Sequence, residues 1–217
     1  MIYNKTNFRI HSLAEKESRY YLNGLHVTPN YTEVTNGHYL IRVDAPFSGK
    51  RKEVLKDLPT PNNYKPVTKE SKFILPADTA RELEKNIPNE RSITILNNAW
   101  LVEDKEDEAT FITTDMQTTK PVTFRKVDQR FPNTDSILEK IPKDAPITIG
   151  FNPDYMIKIC QQYKKAGIQG VALSLYGTET AMKIQGKDVH NEQTITSLLM
   201  PMKVAIADSA WNVEEKK

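Results

Sequence analysis

The chain has 217 residues, 30 of them basic and 28 acidic, for a formal net charge of +2, and 38% are hydrophobic. That size and balance suit a globular chain that can bury a core without metals or disulfides. They argue against tight, stoichiometric gripping of nucleic-acid phosphates, which calls for a larger basic excess. Cys160 is the single cysteine, so there is no internal disulfide framework, and no run approaches the roughly 18 apolar residues of a membrane span. With no secretory-type apolar run at Met1-Ile2-Tyr3-Asn4-Lys5, the expected setting is the cytoplasm, with no membrane partner.

Strand patterns dominate. Short runs rich in aromatic and β-branched residues predict strands at 7–10, 20–27, 39–43, 92–96 and 109–113, then at 121–124, 147–151, 171–175, 181–185 and 197–204. Turn chemistry separates them at Asn36-Gly37, Asn97-Asn98, Gly177 and Gly186-Lys187-Asp188. Between Phe47 and Lys72 a polar, proline- and lysine-rich stretch without apolar periodicity predicts a long, mobile loop.

Two helices are predicted. Leu75-Pro76-Ala77-Asp78 opens the first, which runs to about Asn86 and buries Ala80, Leu83 and Ile87. The second has Asn152 as N-cap, Pro153 at its first position and Asp154 near the positive end of the helix dipole; Gly167 closes it. Its residues Tyr155, Met156, Ile159, Cys160 and Tyr163 form an apolar stripe at helical spacing, opposite Lys158, Gln161, Gln162 and Lys165.

Each helix is followed by short strands, near 72–124 and near 146–204. The segment before Val43 reads as a third copy whose helix, around residues 12–17, is short or missing. The expected fold class is therefore α+β, built from a repeated βαβββ-like unit with helices on one face of small antiparallel sheets.

No catalytic constellation stands out. His11, His26, His38 and His190 lack metal-ligand spacing, and there is no phosphate-binding loop, nucleophile elbow or dinucleotide fingerprint. The acidic run from Glu103 to Glu108 is broken by Lys105 and lies between two strand patterns, which favours an exposed hairpin over a metal site. No enzyme activity, cofactor or metal is expected.

Specific residues then point to a family. Arg19-Tyr20-Tyr21-Leu22-Asn23-Gly24 followed by Val34-Thr35-Asn36-Gly37-His38-Tyr39-Leu40 resembles the middle domain of the bacterial DNA polymerase III beta subunit, the beta sliding clamp. Phe131-Pro132 with Ile141-Pro142 resembles the end of that domain. Gly150-Phe151-Asn152 with Tyr155 resembles the start of the last helix in the family's third domain, and Leu199-Met200-Pro201-Met202-Lys203-Val204 is similar to its terminus. The resemblance covers residues 12–204 and implies a DNA-clamp fold with about three repeat units per chain, where the family carries about six. The first domain and the first half of the third have no counterpart. On this alignment residues 1–143 resemble the middle domain, 144–204 the latter half of the third, and 205–217 form a tail.

The resemblance implies a pocket for short linear peptides from a DNA polymerase or other replication and repair proteins. The matching positions are Leu22, Thr35, Gly37, His38, Leu40, Met200, Pro201, Met202, Lys203 and Val204. Methionines suit such a task because flexible, polarizable side chains repack around varied anchors, although they also serve as core filler. The resemblance further implies helices that face double-stranded DNA without reading sequence, with Arg81, Lys85, Lys158, Lys164 and Lys165 as candidates; a solvated helix face gives the same pattern.

Two functional readings follow. In the first, the chain is a shortened processivity clamp and homo-oligomer, about four copies closing a ring of about twelve units. In the second, it is a clamp-like module that captures clamp-binding peptides without encircling DNA. A third expectation concerns Trp211 of the tail, which would reach and occupy the pocket.

Overall fold

The computed structural model describes residues 1–14, 23–46, 67, 71–140, 148–187 and 194–203. The chain divides into two compact units, Met1–Pro132 and Asn133–Lys217. The expected helix at 15–17, most of the 47–72 loop, Ile141-Pro142, Leu22, Val204 and the 205–217 tail lie outside the described residues.

The first unit contains one βαβββ pattern twice. In the first copy, β1 (Ile2–Asn4) leads into α1 (Lys5–Arg9) and a 3-10 turn at Ile10–Leu13. Then follow β2 (Gly24–Val27), β3 (Tyr31–Thr35) and β4 (Leu40–Asp44). In the second copy, β5 (Phe73–Pro76) leads into α2 (Ala77–Asn86), then β6 (Asn98–Asp104), β7 (Glu108–Thr114) and β8 (Thr119–Arg125). The copies exchange their leading strands. The sheets run β1-β6-β7-β8 and β4-β3-β2-β5, with Ile2 opposite Trp100 and Leu75 opposite Leu25, both pairings antiparallel. The two copies also share one core, in which Tyr3, Phe8, Leu25, Leu75, Leu83 and Phe111 are all fully buried.

Helix α1 rests beside α2, where Glu84 accepts from Arg9 Nε at 3.2 Å and lies 3.1 Å from His11 Nε2. Phe131, from the Phe131-Pro132 motif, stacks on His26 at 4.5 Å, and His26 Nδ1 is 2.7 Å from the buried Glu33 carboxylate.

Among its described residues the second unit holds a single copy. After α3 (Thr134–Glu139) come α4 (Pro153–Lys165), β9 (Ala172–Ser174), β10 (Met182–Lys187) and β11 (Thr194–Leu199), with sheet order β11-β10-β9. Its equivalence to the second copy of unit one is geometric. Ile74 and Gly150, each three residues before its helix begins, bridge antiparallel to Val127 and Met202 just past the last strand. The same hydrogen bond closes both, Val127 N to Ile74 O at 3.1 Å and Met202 N to Gly150 O at 2.9 Å.

The α+β class and the repeated unit are as expected from sequence, and several local expectations are corrected. Residues 7–10 are helical, because Asn4 and Asn7 form a reciprocal capping box that outweighs the β propensity of Phe8 and Ile10. The first-copy helix therefore falls earlier than residues 12–17. At 92–96 the chain makes a 3-10 turn, Thr94–Leu96, and the strand begins later, at Asn98. The last strand ends at Leu199 and not at 204, since Met200 and Pro201 leave the ladder.

Helix α4 starts as its sequence predicts, with Asn152 Oδ1 accepting from the amides of Asp154 and Tyr155 at 2.8 and 3.4 Å. Its predicted stripe is not buried as a whole. Tyr163 is buried, Met156 and Ile159 are half-buried, and Tyr155 and Cys160 are exposed. One three-stranded sheet covers less helix surface than the paired copies of unit one.

Candidate functional site

The end of β11 and the first turns of α4 form a groove of about 600 Å³. Asn152, Tyr155, Lys158 and Ile159 line it from the helix, and Leu198, Leu199, Met200, Pro201 and Met202 from the strand end. The strand period explains the chemistry: Leu199 turns into the core, so Leu198 is left 65% exposed on the opposite face. Beyond Leu199 the backbone is held by the Met202 amide on Gly150, and Pro201 needs no partner for its nitrogen. Met200 is thus 67% exposed and Met202 and Tyr155 about half. Lys158 Nζ sits 5.7 Å from the centre of the Tyr155 ring, a cation–π contact at the rim.

Met200, Pro201 and Met202 therefore share one groove, with exposed Lys203 next in sequence. Sequence reasoning missed Tyr155, Ile159 and Leu198 as lining residues. The available signal was strand alternation at Leu198-Leu199; the helical stripe pointed the other way for Tyr155.

Thr35, Gly37, His38 and Leu40 belong to unit one and form the β3–β4 hairpin turn. Asn36 Oδ1 accepts from the amides of His38 and Tyr39 at 3.0 and 3.1 Å, while Thr35 Oγ1 accepts from Gly37 N at 3.2 Å. Gly37 takes φ 88°. Thr35 is buried, Leu40 is half-buried opposite it in the ladder, and His38 projects into solvent. The Tyr39 hydroxyl donates to Leu13 O and ties the turn to the first-copy helix segment.

Among the basic candidates, Arg81 and Lys85 are exposed on α2, with Arg81 3.6 Å from Asp78. Lys158, Lys164 and Lys165 are exposed on α4, where the last two oppose the helix C-terminal dipole. The acidic run forms the β6–β7 hairpin turn, exposed at 105–108. Among the described residues, no group of three or more His, Cys, Asp or Glu side chains is placed to hold a metal, and no helix is long and apolar enough to cross a membrane.

No protein-family model matches this chain, and no curated protein does. Among solved structures it is similar to DNA polymerase III subunit beta from Borrelia burgdorferi, determined in complex with a natural product. The match has a TM-score of 0.56 at 11% identity and covers 92% of this chain and 47% of that one. This chain thus spans about half the length of that protein. The likeness is one of fold: the chain has a clamp-like α+β fold.

Proposed function

We propose that this chain is a non-catalytic, clamp-like docking factor that captures short linear peptides of a DNA polymerase or other replication proteins. The observation that carries this reading is the convergence of Tyr155, Leu198, Met200 and Met202, all exposed, on one groove. Exposed methionine and aromatic side chains around an apolar trough favour an extended peptide with leucine or phenylalanine anchors. On this reading residues 1–143 stand in for the family's middle domain and 144–204 for the latter half of its third. Tethering to double-stranded DNA is a further step, for which Arg81, Lys85, Lys164 and Lys165 supply exposed charge.

The test is fluorescence polarisation with a labelled peptide bearing adjacent leucine and phenylalanine anchors. Saturable binding is expected, weakened about tenfold, or about 1.4 kcal/mol, by Met200→Ala and by Tyr155→Ala. Absence of saturable binding, or affinity indifferent to Met200→Ala and Tyr155→Ala alike, sinks the reading.

A further inference from the structure

Unit one shows how a βαβββ copy is completed, because it contains two. The leading strand β1 covers the free edge of β6, β5 covers that of β2, and α1 lies on α2. Among the described residues the second unit has one copy, and its equivalent positions are exposed. Aligned on the two bridges, Leu173 faces Ile184 across the ladder as Leu101 faces Phe111. Leu101 is 0% exposed, whereas Leu173 is 52% exposed. Val171 and Leu175 flank it at the strand period and are also exposed. Among the described residues, the outer edge of β9 has no ladder partner.

The helix tells the same story. Counted from the first residue of each helix, Arg9 and Glu84, which pair between α1 and α2, correspond to Ile157 and Cys160 of α4. Both are exposed, and both are apolar where unit one uses an ion pair. A strand edge without a ladder partner among the described residues, carrying exposed apolar side chains, and an exposed apolar stretch of helix are both surfaces prone to association. Their complement is known from unit one, and it is another copy of the same repeat.

We infer that the second unit is completed by the second unit of another copy of this chain. Around a two-fold axis, residues 148–151 of each copy pair antiparallel with β9 of the other. The two α4 helices pack with Ile157 of one against Cys160 of the other, reciprocally. An isologous contact of this kind closes on itself as a dimer. The inference does not rest on the peptide reading: it is argued from β9 and from Ile157 and Cys160, none of which lines the groove, although residues 148–151 adjoin it where Gly150 bridges Met202.

The experiment is sedimentation equilibrium of the 217-residue chain over a concentration series, as wild type and as Leu173→Glu. A mass of twice 24.8 kDa is expected for the wild type. Leu173→Glu, at a position half exposed in the single chain, should return it to one chain mass with its melting transition retained. Ile157→Glu, on the helix, is the second variant should Leu173→Glu fail to fold. Maleimide labelling of Cys160 should slow as the wild type associates and stay fast in the variant. A single-chain mass at every concentration, or a two-chain mass that neither variant disturbs, overturns the inference. Peptide affinity measured on the wild type and on the single-chain Leu173→Glu variant keeps the two readings apart: a dimer with no peptide binding by either form counts against the docking function alone.

Discussion

The ring of Tyr163 packs against Gly186, so close that a Cβ there would stand 2.9 Å from Tyr163 Cδ1 and 2.8 Å from Ile168 Cγ2. The same ring places its hydroxyl to donate to Ile184 O at 2.7 Å, so one side chain ties α4 to the middle of its sheet. Gly186→Ala should displace the ring and destabilise the second unit by about 1–3 kcal/mol. Tyr163→Phe keeps the packing and loses the hydrogen bond, for about 1 kcal/mol. Urea unfolding followed by tyrosine fluorescence ranks the two. A Gly186→Ala chain as stable as wild type would refute this account of how the helix is held.

Gly24 ends the Arg19–Gly24 motif, and its place explains its identity. A Cβ there would lie 2.5 Å from the backbone oxygen of Leu75 and 2.7 Å from Ile74 Cγ2. Backbone cannot yield as a side-chain tip can, so Gly24→Ala should push β5 off β2 at the high end of overpacking costs, about 3 kcal/mol. Hydrogen exchange should quicken at Ile74 and Leu75 and stay unchanged in α4. Uniform exchange across both units would contradict a local effect.

Tyr3 is fully buried, and its hydroxyl donates to Thr28 O at 2.6 Å. Burial raises its phenol pKa above the ordinary value. The folded chain therefore keeps this proton at pH values where the unfolded chain, with an ordinary phenol pKa of about 10, gives it up. Stability contributed by neutral Tyr3 is complete below about pH 10 and declines as pH rises beyond it. Tyr3→Phe should flatten that alkaline decline while lowering stability at neutral pH by about 1 kcal/mol. Melting temperatures across alkaline pH for both chains decide the matter; parallel curves would rule Tyr3 out.

Lys164 and Lys165 lie outside the peptide groove, which lets DNA contact be separated from docking. Reversing both to glutamate should lower affinity for double-stranded DNA by at least tenfold at low salt and flatten its salt dependence, leaving peptide affinity intact. Anisotropy titrations at two ionic strengths measure it. Unchanged DNA affinity would leave Lys164 and Lys165 without a role in tethering.

What could be read from the sequence was whatever local chemistry decides. Asn152-Pro153 and Pro76-Ala77 marked helix starts, and Asn36-Gly37 marked the β3–β4 hairpin, because caps and turns are set by a few adjacent residues. The same rule was overlooked at Asn4 and Asn7, where a capping box hid behind Phe8 and Ile10. Nothing local announces that β1 pairs with β6, since Ile2 and its partner Trp100 lie far apart in sequence. At the groove, the family resemblance singled out Met200, Pro201 and Met202. It did not single out Tyr155 as a lining residue, because its exposure follows from the small sheet beneath α4 and not from helical spacing.

The exchange of leading strands sets the order in which unit one can be made. Its earliest strand, Ile2–Asn4, finds its ladder only on Asn98–Asp104, so a nascent chain must hold Tyr3 and Phe8 uncovered until the second copy has been synthesised. The two copies then lock together and lose independent melting, because each sheet is missing an edge without the other. A ribosome-bound intermediate cut short before residue 98 exposes both the unpaired edge and the aromatic half-core, and is the species on which a chaperone would act.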